Sequence, residues 1–368
     1  MKILVVASLT PPATANYLIS ALRDAKHEVF VCSDVASPLA NQLVYGAVDV
    51  ARVCSLHGFT PELMLFIEGG TMRLLPTGLE NLSCLTAWYG IDTHMDYAKH
   101  LRIGRLFDVT FIAQKEFVEK LHSDGLQQVH WLPLGFAPEL MPSSMPARTI
   151  DIAYVGSNNV VANPQRHVLL SALQREFSST RFGPATPQEM GGIYASARMV
   201  FNRSVKNDVN MRFFEAAGSG AVLVTGPVVD NGVEALFEEG KHYVVYHDEA
   251  SLLNVVRDLL ADPARCATMG ETARQHVLAC HTYCHRAASL LKVAEQSKKL
   301  PAPHPEDYFS ACLSLNLLSG ALDAAGRAMA FSSGGAYRRI MGGTAAFVLY
   351  GLAGVLGMVE RARAHFLD

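Results

Sequence analysis

The sequence predicts two consecutive α/β domains with mostly parallel sheets, followed by a helical extension. Three observations carry this. Short apolar runs alternate with helical segments through the first part of the chain. The same alternation restarts after a break at Pro138, Pro142 and Pro146. From Pro301 on, the residues become small and apolar. Strands of this kind, separated by helices, build a parallel sheet with helices on both faces. The expected domains are 1–145, 146–296 and 301–368.

Each element follows from its own pattern. ILVVA (3–7) is a first strand, and 15–24 a helix with Tyr17, Leu18, Ala21 and Leu22 turned inward. EVFVC (28–32), LMLFI (63–67), CLTAWY (84–89), DVTFIA (108–113) and VHWLP (129–133) are further strands, with a helix at 116–122. After the prolines, DIAYV (151–155), RMVFN (198–202), AVLVT (221–225) and HYVVY (242–246) read as strands. Helices are expected over 249–261 and 263–295. Ligands of such sheets sit beyond the strand C-termini. In the first domain those loops are 8–14, 68–71 and 90–94.

Composition narrows the function. Of 368 residues, half are hydrophobic and 18% charged, as in a folded chain long enough for two cores. A net charge of −3 gives no bulk field toward nucleic acid, so no nucleic-acid partner is expected. Seven cysteines without a C-x-x-C indicate neither a disulfide framework nor a zinc site. Met1-Lys2 leads directly into a short strand rather than a signal peptide, so a cytoplasmic location is expected. The first strand–helix loop has no glycine, so the G-x-G-x-x-G fingerprint of nicotinamide enzymes is absent.

The segment NMRFFEAAGSGAVLVT (210–225) concentrates the chemistry. Asn210 opens a helix, Arg212 and Glu215 share one of its faces, and Gly218-Ser219-Gly220 ends it before a buried strand. The helix N-terminus and Arg212 favour an anion. Glu215 can accept two hydroxyls, as a ribose diol supplies. A solvated Arg–Glu pair accounts for the same spacing. In the first domain, Asp92-Thr93-His94 follows a strand end. His94 suits hydrogen bonding to a sugar, or a proton shuttle at the acceptor oxygen. Asp92 either orients it or acts as base, or else caps a helix at 95–101. Glu68-Gly69-Gly70 would let the backbone approach a ligand, but a simple turn is the commoner explanation.

AWYGIDTH (87–94), LFDVTFIAQKEF (106–117) and HWLPLGF (130–136) resemble the N-terminal half of the CgeB-like glycosyltransferases, a spore-maturation-protein type. IAYVGS (152–157), NMRFFEAAGSGAVLVTG (210–226) and HTYCHRAASLL (281–291) resemble the second half. The resemblance implies the GT-B fold, with two Rossmann-like doubly wound domains facing a cleft. It also implies a nucleotide-sugar, UDP- or GDP-linked, in the second domain with Glu215 on the ribose. Diphosphate would meet Arg203, Lys206, Arg212, the Gly156-Ser157 loop and the Asn210 helix start. The family pattern sets another acid eight positions before the glutamate; here Asn207 stands there, beside Asp208. Retention is typical of the closest families. HTY (281–283) and Arg286 read as structural.

The expectation is therefore a glycosyltransferase acting on an unidentified acceptor. No cofactor is expected. No metal is expected either, since Asp49-Val50-Ala51 and Asp92-Thr93-His94 lack the second acid of a D-x-D motif. A nucleotide-sugar 2-epimerase of the same fold and a non-catalytic nucleotide-sugar-binding scaffold are the alternatives. The uncharged run 340–359 is long enough to span a membrane. Its glycines, and the match of SGALDAA (319–325) to LGMVERA (356–362), instead resemble a degenerate tetratricopeptide helix pair. No membrane span is expected, and the C-terminal helices are a possible peptide or protein contact.

Overall fold

β1 (Lys2–Ala7) is buried at five of its six positions, as a central parallel strand covered on both faces must be. The computed structural model describes residues 1–70, 72–157, 160, 163–317, 320–322 and 325. The chain forms two compact units. Met1–Ala113, Phe117–Leu132 and the described residues from Ser289 on make the first, and Gln114–Glu116 with Pro133–Ala288 the second.

In the first unit, β1 is followed by α1 (Thr14–Asp24), β2 (Glu28–Ser33), β3 (Gln42–Leu43), β4 (Gly46–Asp49), α2 (Val50–His57), β5 (Leu63–Ile67), β6 (Leu74–Thr77), β7 (Leu85–Gly90), α3 (Tyr97–Gly104), β8 (Val109–Ile112), α4 (Glu116–Ser123) and β9 (Val129–Trp131). The main sheet runs β3-β2-β1-β5-β7-β8-β9, all parallel. Strand order reverses at β1, whose end pairs Ala7 with Ile67 of β5. The crevice of a doubly wound sheet opens at that reversal, beyond the strand ends.

The second unit holds β10 (Ile150–Val155), α5 (Pro164–Glu176), β11 (Thr180–Gly183), α6 (Pro187–Ala195), β12 (Ala197–Asn202), α7 (Met211–Gly218), β13 (Val222–Thr225), α8 (Val233–Leu236), β14 (Tyr243–Val245), α9 (Glu249–Ala261), α10 (Pro263–Cys280) and the start of α11 (Tyr283–Gln296). Its parallel sheet runs β11-β10-β12-β13-β14, with the reversal between β10 and β12. Ile152, Tyr154, Phe201, Val222 and Val224 pack with Leu169, Leu252 and Met269 in its core.

Two local expectations are corrected, and three short strands were not foreseen. The helix expected over 263–295 breaks at His281-Thr282. There the backbone is taken by Phe136, whose N–H donates to the His281 carbonyl at 2.8 Å and whose carbonyl accepts Tyr283 N–H at 2.9 Å. The cap of α3 is Asp96, which accepts Lys99 N–H, so Asp92 does not cap it. β4 and β6 pair as a separate two-stranded sheet, and β11 adds an edge strand to the second. All three are four residues long, too short to print a clear period.

α12 (Pro305–Ser314) belongs to the first unit. Its buried Tyr308 hydroxyl donates to Glu80 and accepts Leu79 N–H. Among the described residues no helix is long and apolar enough to cross a membrane. The run 340–359 and the repeat at 356–362 lie outside the described residues, as does part of 319–325.

Candidate functional site

In the second unit the loops that follow β10 and β12 meet at the reversal of strand order, and Arg212 ties them together. Its Nη2 donates to the Val155 carbonyl at 2.8 Å and its Nη1 to Asn202 Oδ1 at 2.8 Å. Its Nε donates to the Tyr194 hydroxyl at 3.2 Å. The guanidinium lies 4.6 Å from the Tyr154 ring centroid. All three acceptors are neutral, so its charge is not cancelled by them. Burial works against that charge, but Tyr194, Tyr154 and Glu215 outweigh it and hold the ionised form.

Asn210 caps α7, accepting Arg212 N–H at 3.1 Å and donating to Asn202 Oδ1 and Ser204 Oγ. Gly156 sits at φ +154°. A Cβ there would stand 2.7 Å from the Tyr154 hydroxyl and 3.1 Å from Arg212 Nη2, so only glycine lets this loop lie against the guanidinium. The Ser157 carbonyl accepts the Tyr154 hydroxyl at 3.3 Å.

Glu215 is partly buried on the same helix, and receives none of the Arg212 donors. Its carboxylate takes no hydrogen bond from any described residue. Burial pushes its pKa up to about 6, against the pull of Arg212. The two residues that spacing places on one face are thus not an ion pair. One is a structural tie and the other an open acceptor.

Arg203 bonds Gln165 and borders Gly226 and Tyr246. Lys206 is exposed, in a left-handed conformation at φ +48°, followed by Asn207 at φ +64°. Asn207 uses its whole amide. Nδ2 donates to the Val229 carbonyl at 2.6 Å and Oδ1 accepts Val229 N–H at 2.8 Å. An aspartate lacks that donor, which gives a physical reason for an amide where the family pattern has an acid. Asp208 accepts Gln114 Nε2 at 3.0 Å.

His94 and Asp92 belong to the first unit, whereas the residues above belong to the second. His94 is partly buried, and its Nδ1 is buried without a hydrogen-bond partner among the described residues. The loop that carries it hangs on Glu68. This side chain is 2% exposed, and Oε2 accepts the backbone N–H of both Ile91 and Asp92. Oε1 lies 3.3 Å from Nε2 of His100, whose Nδ1 is 3.0 Å from Thr93 Oγ1. Burial alone would raise the Glu68 pKa; His100 and the two N–H groups overcome it and hold the carboxyl below its usual range. Glu68 was not foreseen from the sequence as a site residue; the signal that marks it is a carboxylate ending an apolar strand, which is costly unless paired. Tyr194 and Asn202 left no such signal.

A histidine cluster supports the helix break. His276 and His281 both place Nε2 on the Leu236 carbonyl, at 2.7 and 3.0 Å, and His242 stacks on His276. Arg286 donates to Leu134 O and lies against His281 Nδ1, a structural role. Among the described residues no group of three His, Cys, Asp or Glu could hold a metal ion.

Residues 148–292 match the family model described as Glycosyl transferase-like. No curated protein matches the sequence. Among solved structures, Anabaena HepE in complex with UDP and glucose is similar at 13% identity and a TM-score of 0.60, over 80% of this chain and 100% of that one. A sucrose-phosphate synthase from Thermosynechococcus elongatus is similar at 14% identity and 0.57, over 80% and 99%. A putative UDP-N-acetylglucosamine 2-epimerase from Listeria monocytogenes is similar at 12% and 0.53, over 80% and 96%. At such identities the likeness speaks for the fold. The chain has the GT-B fold, with a glycosyl transferase-like domain at residues 148–292.

Proposed function

We propose that this protein is a cytoplasmic, metal-independent glycosyltransferase that moves a sugar from a nucleoside diphosphate donor to an acceptor hydroxyl. The observation that carries the reading is the Glu215 carboxylate, half-buried, without a donor, beside a fixed guanidinium at the strand-order reversal. Such a group suits a ribose diol, which supplies two donors to one carboxylate. Arg203, Lys206, the α7 start at Asn210 and the backbone of Gly156-Ser157 supply donors to the diphosphate, and the fixed charge of Arg212 adds to the field there. They stabilise the charge that develops as it leaves. His94, with Asp92 beside it, handles the acceptor proton or the sugar hydroxyls.

The complexes of HepE with UDP and with UDP-glucose make UDP-glucose the first donor to try. The segments at 87–94, 106–117 and 130–136 favour the CgeB-like type. Residues 301–368 serve as a contact for a peptide or protein. The likeness to a putative 2-epimerase supports a second reading, inversion at C2 of a UDP-sugar.

Calorimetry with UDP and GDP tests the first reading. Each charged hydrogen bond is worth about 1.5–3 kcal/mol, so Glu215→Ala is expected to weaken nucleotide binding at least about tenfold in a folded protein. Unchanged affinity removes Glu215 from the site. Incubation with UDP-N-acetylglucosamine, read by NMR for the C2 epimer, separates the second reading.

A further inference from the structure

We infer that Glu68 is a positioning residue for His94, acting as the fixed anchor of the loop that presents it. This rests on the reading that His94 works on the acceptor side. The anchoring is built from every residue of the loop before His94. Ile91 and Asp92 donate their backbone N–H groups to one oxygen of the carboxylate. Thr93 reaches the other oxygen through His100, Oγ1 to Nδ1 at 3.0 Å and Nε2 to Oε1 at 3.3 Å. A carboxylate only accepts, so His100 Nε2 carries a hydrogen and the tautomer is set by Glu68.

Glu68 is itself immobile. It follows the apolar strand β5, and its own N–H donates to the Tyr89 carbonyl of β7 at 3.0 Å. Glu68, Thr93 and His100 are all buried. The Trp88 ring lies 5.1 Å from the His100 ring and limits its movement. Three consecutive residues are therefore fastened to one charge, and His94 is the first that is not, its buried Nδ1 unpaired among the described residues. A buried charge is costly to keep, and this one is spent on two loop N–H groups and on the α3 histidine that holds the third loop residue. That is the arrangement needed to hold a reacting side chain within a fraction of an ångström.

The test compares Glu68→Gln, which keeps an acceptor for the two N–H groups, with Glu68→Leu, which does not. His100→Phe cuts the second leg and serves if Glu68→Leu does not fold, as judged by UDP binding and melting. Amide hydrogen exchange is expected to speed up about tenfold or more at residues 91–94 in Glu68→Leu, with sheet protection kept, and to stay near wild type in Glu68→Gln. The kcat for UDP release from UDP-glucose is expected to fall about 10- to 100-fold in Glu68→Leu with UDP affinity unchanged, and Glu68→Gln to recover most of it. In a His94→Ala background, Glu68→Leu is expected to add no further loss. Wild-type exchange at 91–94 in Glu68→Leu, or a full multiplicative loss in the double variant, overturns the inference. Wild-type turnover by His94→Ala overturns the functional reading instead, and the exchange result then still decides the anchoring.

Discussion

Arg212 donates to Asn202 Oδ1 at 2.8 Å, and through that bond and its contact with the Val155 carbonyl it joins the ends of β10 and β12. A planar fork is needed to reach three acceptors that diverge in this way. Arg212→Lys keeps the charge and loses the fork. It is expected to lower stability by about 2 kcal/mol in urea unfolding, on the scale of lost hydrogen bonds to a charged group. Wild-type stability in that variant would show the tie to be incidental.

The open carboxylate predicts a pH dependence. Glu215 ionises at about 6, and only the ionised form accepts from both hydroxyls of a diol. UDP affinity is therefore expected to be full above that value and to weaken as pH falls through it. Calorimetry between pH 7.5 and 5 measures this, and Glu215→Gln is expected to flatten the profile.

His281 carries a second pH effect of known sign. Burial first, then Arg286 and His276, push its pKa down to about 4. An unfolded imidazole titrates near ~6.5, so between those values the unfolded chain holds the extra proton. The stability contribution is full above about 6.5 and is lost as pH falls toward about 4, on the order of 3 kcal/mol in all. His281→Gln is expected to show a shallower acid limb in urea titrations than wild type.

Two helical glycines give opposite expectations. A Cβ on Gly270 of α10 would stand 2.1 Å from the Gly220 carbonyl oxygen at the end of α7, whereas one on Gly192 of α6 meets nothing within 4 Å. Gly270→Ala is expected to destabilise by about 1–3 kcal/mol as an overpacked contact. Gly192→Ala is expected to stabilise by roughly 0.5–1 kcal/mol through helix propensity. Thermal melts of both variants check the pair.

The sequence by itself determined the alternation of strand and helix in both units, the α7–β13 segment and the cluster of candidate residues around it. These are legible because burial periodicity is written locally, in runs such as ILVVA and LMLFI. Tertiary structure decided what the polar groups do. Arg212 and Glu215, three residues apart, became a tie and an open acceptor because the partner of Arg212 is a carbonyl 57 residues away. The helix broke at His281 because Phe136 takes its backbone, and Arg286 reaches the Leu134 carbonyl 152 residues away. Glu68 read as a turn became the anchor of the His94 loop through partners 23 and 24 residues on. A buried polar group takes whichever donor or acceptor the topology brings beside it, and adjacency in the sequence carries no record of that choice.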